Sequence, residues 1–138
     1  PMDGSLGRQR LGQFVFNNQD ARNQLNQVMQ PLIRETIMGQ LAGFTKAAVP
    51  AVILDVPLLF EQGYDEDCDL VVVVTVDKAT QLARLMKRDG LSQMAAQARV
   101  AAQMPLNEKA ARADIVIDNN GDDNHLRQQV AQLVKRLN

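Results

Sequence analysis

Cys68-Asp69-Leu70-Val71-Val72-Val73-Val74-Thr75-Val76 is the stretch that decides the fold. Five valines and one leucine in nine residues, almost without polar alternation, predict a strand buried on both faces. Such strands belong to parallel sheets, because each parallel crossover lays a helix over a face. A helix is expected next: Asp77 can cap it, Leu82, Leu85 and Met86 form its stripe, and Gly90 can stop it. Ser92 can cap a further helix, which must end near Met104 because Pro105 follows.

On the C-terminal side, Asp114–Asp118 reads as a second strand of the same type, followed by a turn at Asn119-Asn120-Gly121. Asp123 can cap a last helix with Leu126, Val130, Leu133, Val134 and Leu137 on one face. On the N-terminal side, Ala51–Asp55 reads as another short strand, ending in an acid. The region from Asn18 to Phe44 carries a helical stripe at Leu25, Val28, Met29, Leu32, Ile33, Ile37 and Leu41. Pro31 interrupts that stripe, so two helices are expected, the second opened by the proline. Apolar strands alternating with helices indicate a doubly wound α/β fold. Ligands in such folds sit beyond the carboxyl ends of strands, here Asp55–Pro57, Val76–Asp77 and Asp118–Gly121.

The 138 residues suffice for one domain, and no repeat or long linker divides them. Aromatic residues make up only 4%, so the core must rest on aliphatic side chains. No apolar run approaches the roughly 20 residues of a membrane span, and the opening residues have no signal-peptide pattern. A single Cys68 allows no internal disulfide. The expected location is therefore cytoplasmic, with no membrane partner.

The net charge of −1 conceals a basic segment. From Lys78 to Arg112 there are seven basic residues against two acidic ones, +5; the remainder has eight against fourteen, −6. So confined a positive region suits a compact anion better than a nucleic acid, which needs a wider basic face. A solvated basic helix face accounts for the same composition. Spacing sharpens the choice. Arg84 and Arg88 share one helix face, Arg99 and Gln103 repeat that spacing on the next helix, and Lys109 and Arg112 follow. Arginine matches phosphate geometry bidentately, and in phosphoryl transfer such groups neutralise the charge on the transferring oxygens. Only Asp89 and Glu108 lie near in sequence to pair with these cations.

Other candidates are less specific. Asp55 at a strand end could hold a hydrated Mg²⁺ near phosphates, or form a turn. Asn119-Asn120-Gly121 could meet a nucleotide base or be a plain turn. Cys68 has no basic neighbour and reads as a core residue, and His125 reads as a surface residue.

These residues together resemble the dephospho-CoA kinase family. The resemblance rests on Asp3-Gly4-Ser5-Leu6 with Arg8, Leu11 and Val15-Phe16; on Pro31-Leu32-Ile33, preceded by Gln30 where the family has His; and on Leu54–Glu61. It continues in Gln81–Ser92, in Ala102–Leu106 with Lys109, and in Ala113-Asp114 with Ile117-Asp118-Asn119. The family transfers the γ-phosphate of ATP to the ribose 3′-hydroxyl of dephospho-CoA. The resemblance implies a parallel sheet of the P-loop nucleoside-monophosphate-kinase type, with residues 87–112 as a lid-like helical segment. It implies Arg88 and Arg99 as the catalytic charges, and Arg84, Lys109, Asn119 and Gly121 as ATP contacts. It assigns the acceptor to Arg8, Asp55, Pro57, Leu58 and Glu61, the cofactor to ATP with Mg²⁺, and no certain metal ligand.

No G-x-x-x-x-G-K-[ST] sequence occurs in these residues. Family members begin earlier, with a strand, that phosphate loop and its helix. The chain is therefore expected to be a truncated single domain, inactive by itself. The alternative is a non-catalytic remnant or association module of the same family. In either case the edges of Ala51–Asp55 and Leu70–Val76 are expected to drive self-association.

Overall fold

The computed structural model describes residues 7–16 and 18–137, without the side chains of Arg8, Gln9, Gln13 and Phe16. Two compact units divide at Ile53/Leu54. The first holds α1 (Arg8–Phe16) packed on the long α2 (Gln19–Lys46). Asn18 starts α2 by accepting the Ala21 N–H on its side chain at 3.0 Å. The expected break at Pro31 does not occur, and α2 runs 28 residues through it. The apolar positions explain this: Leu25, Val28, Met29 and Leu32 keep helical phase across the proline. Losing one hydrogen bond is cheaper than nucleating a second helix in the same register. Much of that stripe is open to solvent, with Val28 and Leu32 more than half exposed.

The second unit is built around two parallel strands, β1 (Val72–Thr75) and β2 (Ile115–Asp118), in the register Val72↔Ile115 to Thr75↔Asp118. Between them come α3 (Lys78–Asp89), α4 (Gln93–Ala101) and α5 (Leu106–Arg112); α6 (Asp123–Leu137) closes the chain. The architecture is α/β with a small parallel sheet, as the valine run predicts. β1 is shorter than expected because Asp114 reaches across to accept the Val71 N–H at 2.7 Å, and the ladder starts beyond it. Its faces are also unequal. Val71 and Val73 pack with Phe60 into the core cluster, shielded by Leu59, Met104 and Leu106, whereas Val74 is 50% exposed.

The strand expected at Ala51–Asp55 is absent; the segment has no ladder partner among the described residues, and Ile53 is 88% exposed. A strand is defined by its partner, which a local apolar run cannot supply. The caps of α3 and α4 are as expected: Asp77 accepts from Thr80 N at 2.9 Å, Ser92 from Ala95 N at 3.3 Å. Gly90 closes α3 at φ 63°, a conformation that costs glycine little. The α4 helix stops three residues short of Met104, freeing room for α5, which the sequence reading does not foresee. The cap of α6 shifts by one residue, since Asp122 rather than Asp123 accepts the His125 N–H at 2.8 Å. No helix among the described residues is long and apolar enough to cross a membrane.

Candidate functional site

A cavity of about 600 Å³ opens in the second unit beyond the carboxyl ends of both strands. Thr75 and Val76 from β1 and Asn119 after β2 form one wall. Arg84 and Arg88 on α3, Arg99 and Gln103 from the α4 region, and Lys109 on α5 form the rest. Four of the seven basic residues of the Lys78–Arg112 segment thus meet in one place, because the two helix turns put Arg84/Arg88 opposite Arg99.

The cations are held in different ways. Arg84 donates to the Asn119 carbonyl at 3.1 Å, tying α3 to the strand end. Arg88 grips Asp89 through two bonds, Nε to Oδ1 at 2.7 Å and Nη2 to Oδ2 at 3.1 Å. Arg99 also donates to Asp89 Oδ2, so one carboxylate joins α3 to α4. Arg88 beside it, and then Arg99, hold the Asp89 carboxyl below the usual carboxylate range, and Asp89 in turn raises Arg88. All three side chains remain partly solvated, so an incoming polyanion can compete for both arginines.

Lys109 differs. It is 8% exposed, and its three ammonium hydrogens face three acceptors: the Pro57 carbonyl at 2.9 Å, Glu61 Oε1 at 2.9 Å and Gln103 Oε1 at 3.4 Å. Glu61 Oε1 also accepts the Met104 N–H at 2.8 Å. Burial pushes the Glu61 carboxyl up, but Lys109 and the Met104 N–H outweigh it and leave it below its ordinary value. Arg112 turns away from the cavity. It pairs with Asp65 at 2.7 Å and lies 4.5 Å over the Phe60 ring. The acids that pair with Lys109 and Arg112 come from residues 61 and 65, which sequence proximity does not suggest.

The remaining candidates are scattered. Pro57 contributes its carbonyl to Lys109, Leu58 is half-buried in the same turn, and Asp55 is exposed just before it. Gly121 lies against His125, whose Cδ2 would be 2.9 Å from an added Cβ. The Arg8 side chain lies outside the described residues. Cys68 donates its thiol to the Tyr64 carbonyl at 3.3 Å, and burial, then Asp67, Asp65 and Asp69, push its pKa up. It is a core residue and a poor nucleophile.

The family model for dephospho-CoA kinase matches residues 1–125. The chain belongs to the dephospho-CoA kinase family. Among relatives so named, the Symbiobacterium thermophilum protein is 50% identical over 128 residues, 93% of this chain and 54% of its own length. The Syntrophotalea carbinolica protein is 46% identical over 134 residues, 97% and 64% of the two lengths. The chain therefore spans roughly half to two thirds of these family members. Two solved structures share its fold. A Thermus thermophilus protein superposes with a TM-score of 0.79 at 32% identity, over 98% of this chain and 69% of that one. The dephospho-CoA kinase of Campylobacter jejuni superposes with a TM-score of 0.68 at 34% identity, over 96% and 66%. Within the family's fold, the cavity occupies the place that α/β sheets reserve for ligands, the carboxyl ends of the strands.

Proposed function

We propose that this chain supplies the phosphate-neutralising half of a dephospho-CoA kinase, which transfers the γ-phosphoryl group of ATP to the ribose 3′-hydroxyl of dephospho-CoA. The observation that supports the reading most is the convergence of Arg84, Arg88 and Arg99 on one cavity at the strand ends. Arg88 and Arg99 face it from the lid-like segment 87–112, where their fork geometry suits the spread charge of a transferring phosphoryl group. Arg84 and Asn119 stand at the nucleotide side, with Gly121 in the turn beyond. Asp55, Pro57, Leu58 and Glu61, with Arg8, remain the assignments for the acceptor side. Among the described residues no group of three His, Cys, Asp or Glu side chains gathers. Magnesium would arrive as the ATP complex, held by phosphates and water. We infer a cytoplasmic location, with ATP and dephospho-CoA as the small-molecule partners.

These 138 residues contain no glycine-rich phosphate loop, so a polypeptide made of them alone should not turn over. It should still bind ATP weakly. Calorimetry on the chain, with Arg88→Ala and Arg99→Ala compared with Arg127→Ala on α6, tests the site. Losing a charge-assisted phosphate contact should weaken binding about tenfold or more for the first two, and hardly for the third. Equal, small effects would return the cluster to a solvated basic face. A coupled ADP-release assay showing turnover near ~1 s⁻¹ would end the claim of inactivity.

We also propose that the isolated chain self-associates. β1 pairs with β2 alone among the described residues, which leaves its other edge open beside half-exposed Val74. Sedimentation at micromolar concentration should show a dimer or larger species, and a sharp monomer would refute this.

A further inference from the structure

The α4 helix leaves α3 through the Gly90–Ser92 link, where the Leu91 N–H donates to the Met86 carbonyl at 3.3 Å, and its last turn carries Arg99, paired at the surface with Asp89. Just past its end, Met104 donates its N–H to Glu61, and Gln103 accepts a hydrogen bond from Lys109, which Glu61 and the Pro57 carbonyl hold from the other side. Glu61 and Lys109 are both more than four-fifths shielded. The whole join spans 43 to 52 residues of sequence, so it ties the Pro57–Glu61 turn directly to the exit of the helix that carries Arg99. Every hydrogen of the Lys109 ammonium already has an acceptor, and the one Glu61 oxygen with partners serves two donors. The Lys109 ammonium has no hydrogen to spare for a ligand in this arrangement, whereas Glu61 Oε2 is buried without a partner.

We infer that Glu61 and Lys109 are positioning residues: their buried pair is the fixed pivot of the Arg99 helix, and it couples the Pro57–Glu61 turn to the phosphate-facing arginines. The inference rests on the proposed phosphate cavity. It gives these two side chains an indirect role beside their assignments in the site. Movement of the Pro57–Glu61 turn would be transmitted through Glu61 Oε1 to Met104 and so to Arg99, while Gly90 absorbs the rotation at the far end.

The test uses the 138-residue chain and inorganic tripolyphosphate as the probe. Glu61→Ala removes the acceptor for Met104; Glu61→Gln keeps an acceptor of the same shape. Backbone hydrogen exchange should accelerate at Met104 and along α4 by on the order of tenfold or more in Glu61→Ala, with the Val73 amide of β1 unchanged. Tripolyphosphate affinity should fall about tenfold in Glu61→Ala and less in Glu61→Gln, since residues coupled through shared contacts interact on that scale. Equal acceleration at Val73 and Met104, or unchanged α4 exchange in Glu61→Ala, would overturn the inference and leave the pair a general stabiliser. Should Glu61→Ala not fold, Lys109→Met, which releases Gln103 and Glu61 together, takes its place, and unchanged α4 exchange with unchanged affinity there would overturn it equally. If the unmodified chain binds no tripolyphosphate, the cavity reading fails, and the exchange pattern still decides the pivot.

Discussion

Replacing Lys109 by methionine isolates the electrostatics of the pivot, because methionine fills the space of the lysine stem and removes only the charged head. At 2.9 Å, the Lys109–Glu61 attraction is about 6 kcal/mol gross at an effective dielectric constant near 20. Desolvation consumes much of that, yet breaking a buried pair costs ~3–5 kcal/mol, because a lone buried charge remains. Glu61 keeps the Met104 N–H and some water access, so the lower end, about 3 kcal/mol, is expected. For a unit of this size that lowers the melting temperature by roughly 12–24 °C. The pH dependence carries the sharper signature. In the unmodified chain the folded-state pKa of Glu61 is lowered, so its stabilisation is present above the unfolded carboxyl value and is lost as pH falls through the folded value. In Lys109→Met, burial dominates and raises that carboxyl, so Glu61 destabilises at neutral pH and the penalty fades as it protonates. The difference between the two proteins should therefore be greatest near pH 7 and shrink below about pH 4–5. Urea titrations at pH 7 and pH 4 measure both quantities. A loss under ~1 kcal/mol at pH 7, or one that grows on acidification, would refute the argument.

Two further outcomes follow from the packing. Gly121→Ala should destabilise the α6 end by about 1 kcal/mol because its Cβ would meet His125 at 2.9 Å; His125→Ala in the same chain should restore most of it, as thermal melts of both variants would reveal. The Cys68 thiol should react with iodoacetamide several-fold more slowly than a free thiol at pH 8, and at the free rate in urea, since burial and the neighbouring aspartates raise its pKa; equal rates before and after unfolding would contradict this.

Local chemistry alone determines a good part of this protein. Asp77, Gly90 and Ser92 bound α3 and start α4 through contacts with residues three or four positions away, so their roles are written in the chain order. The valine run predicts a strand from its composition, and the i, i+4 spacing of Arg84 and Arg88 puts both on one side of α3. The in-register family motifs across Leu54–Glu61 and Ala102–Asn119 carry the family membership for the same reason: they are contiguous. Only the tertiary structure could decide the rest. Proline at residue 31 is a local helix breaker, yet α2 runs through it. Ala51–Asp55 has strand composition without a partner, and Val74 has core composition without cover, because pairing and burial depend on distant residues. Glu61 and Asp65 look like members of an acidic loop until folding brings Lys109 and Arg112 to them across more than forty residues. Charge pairing acts through space, at distances of about 3 Å that no spacing along the chain encodes.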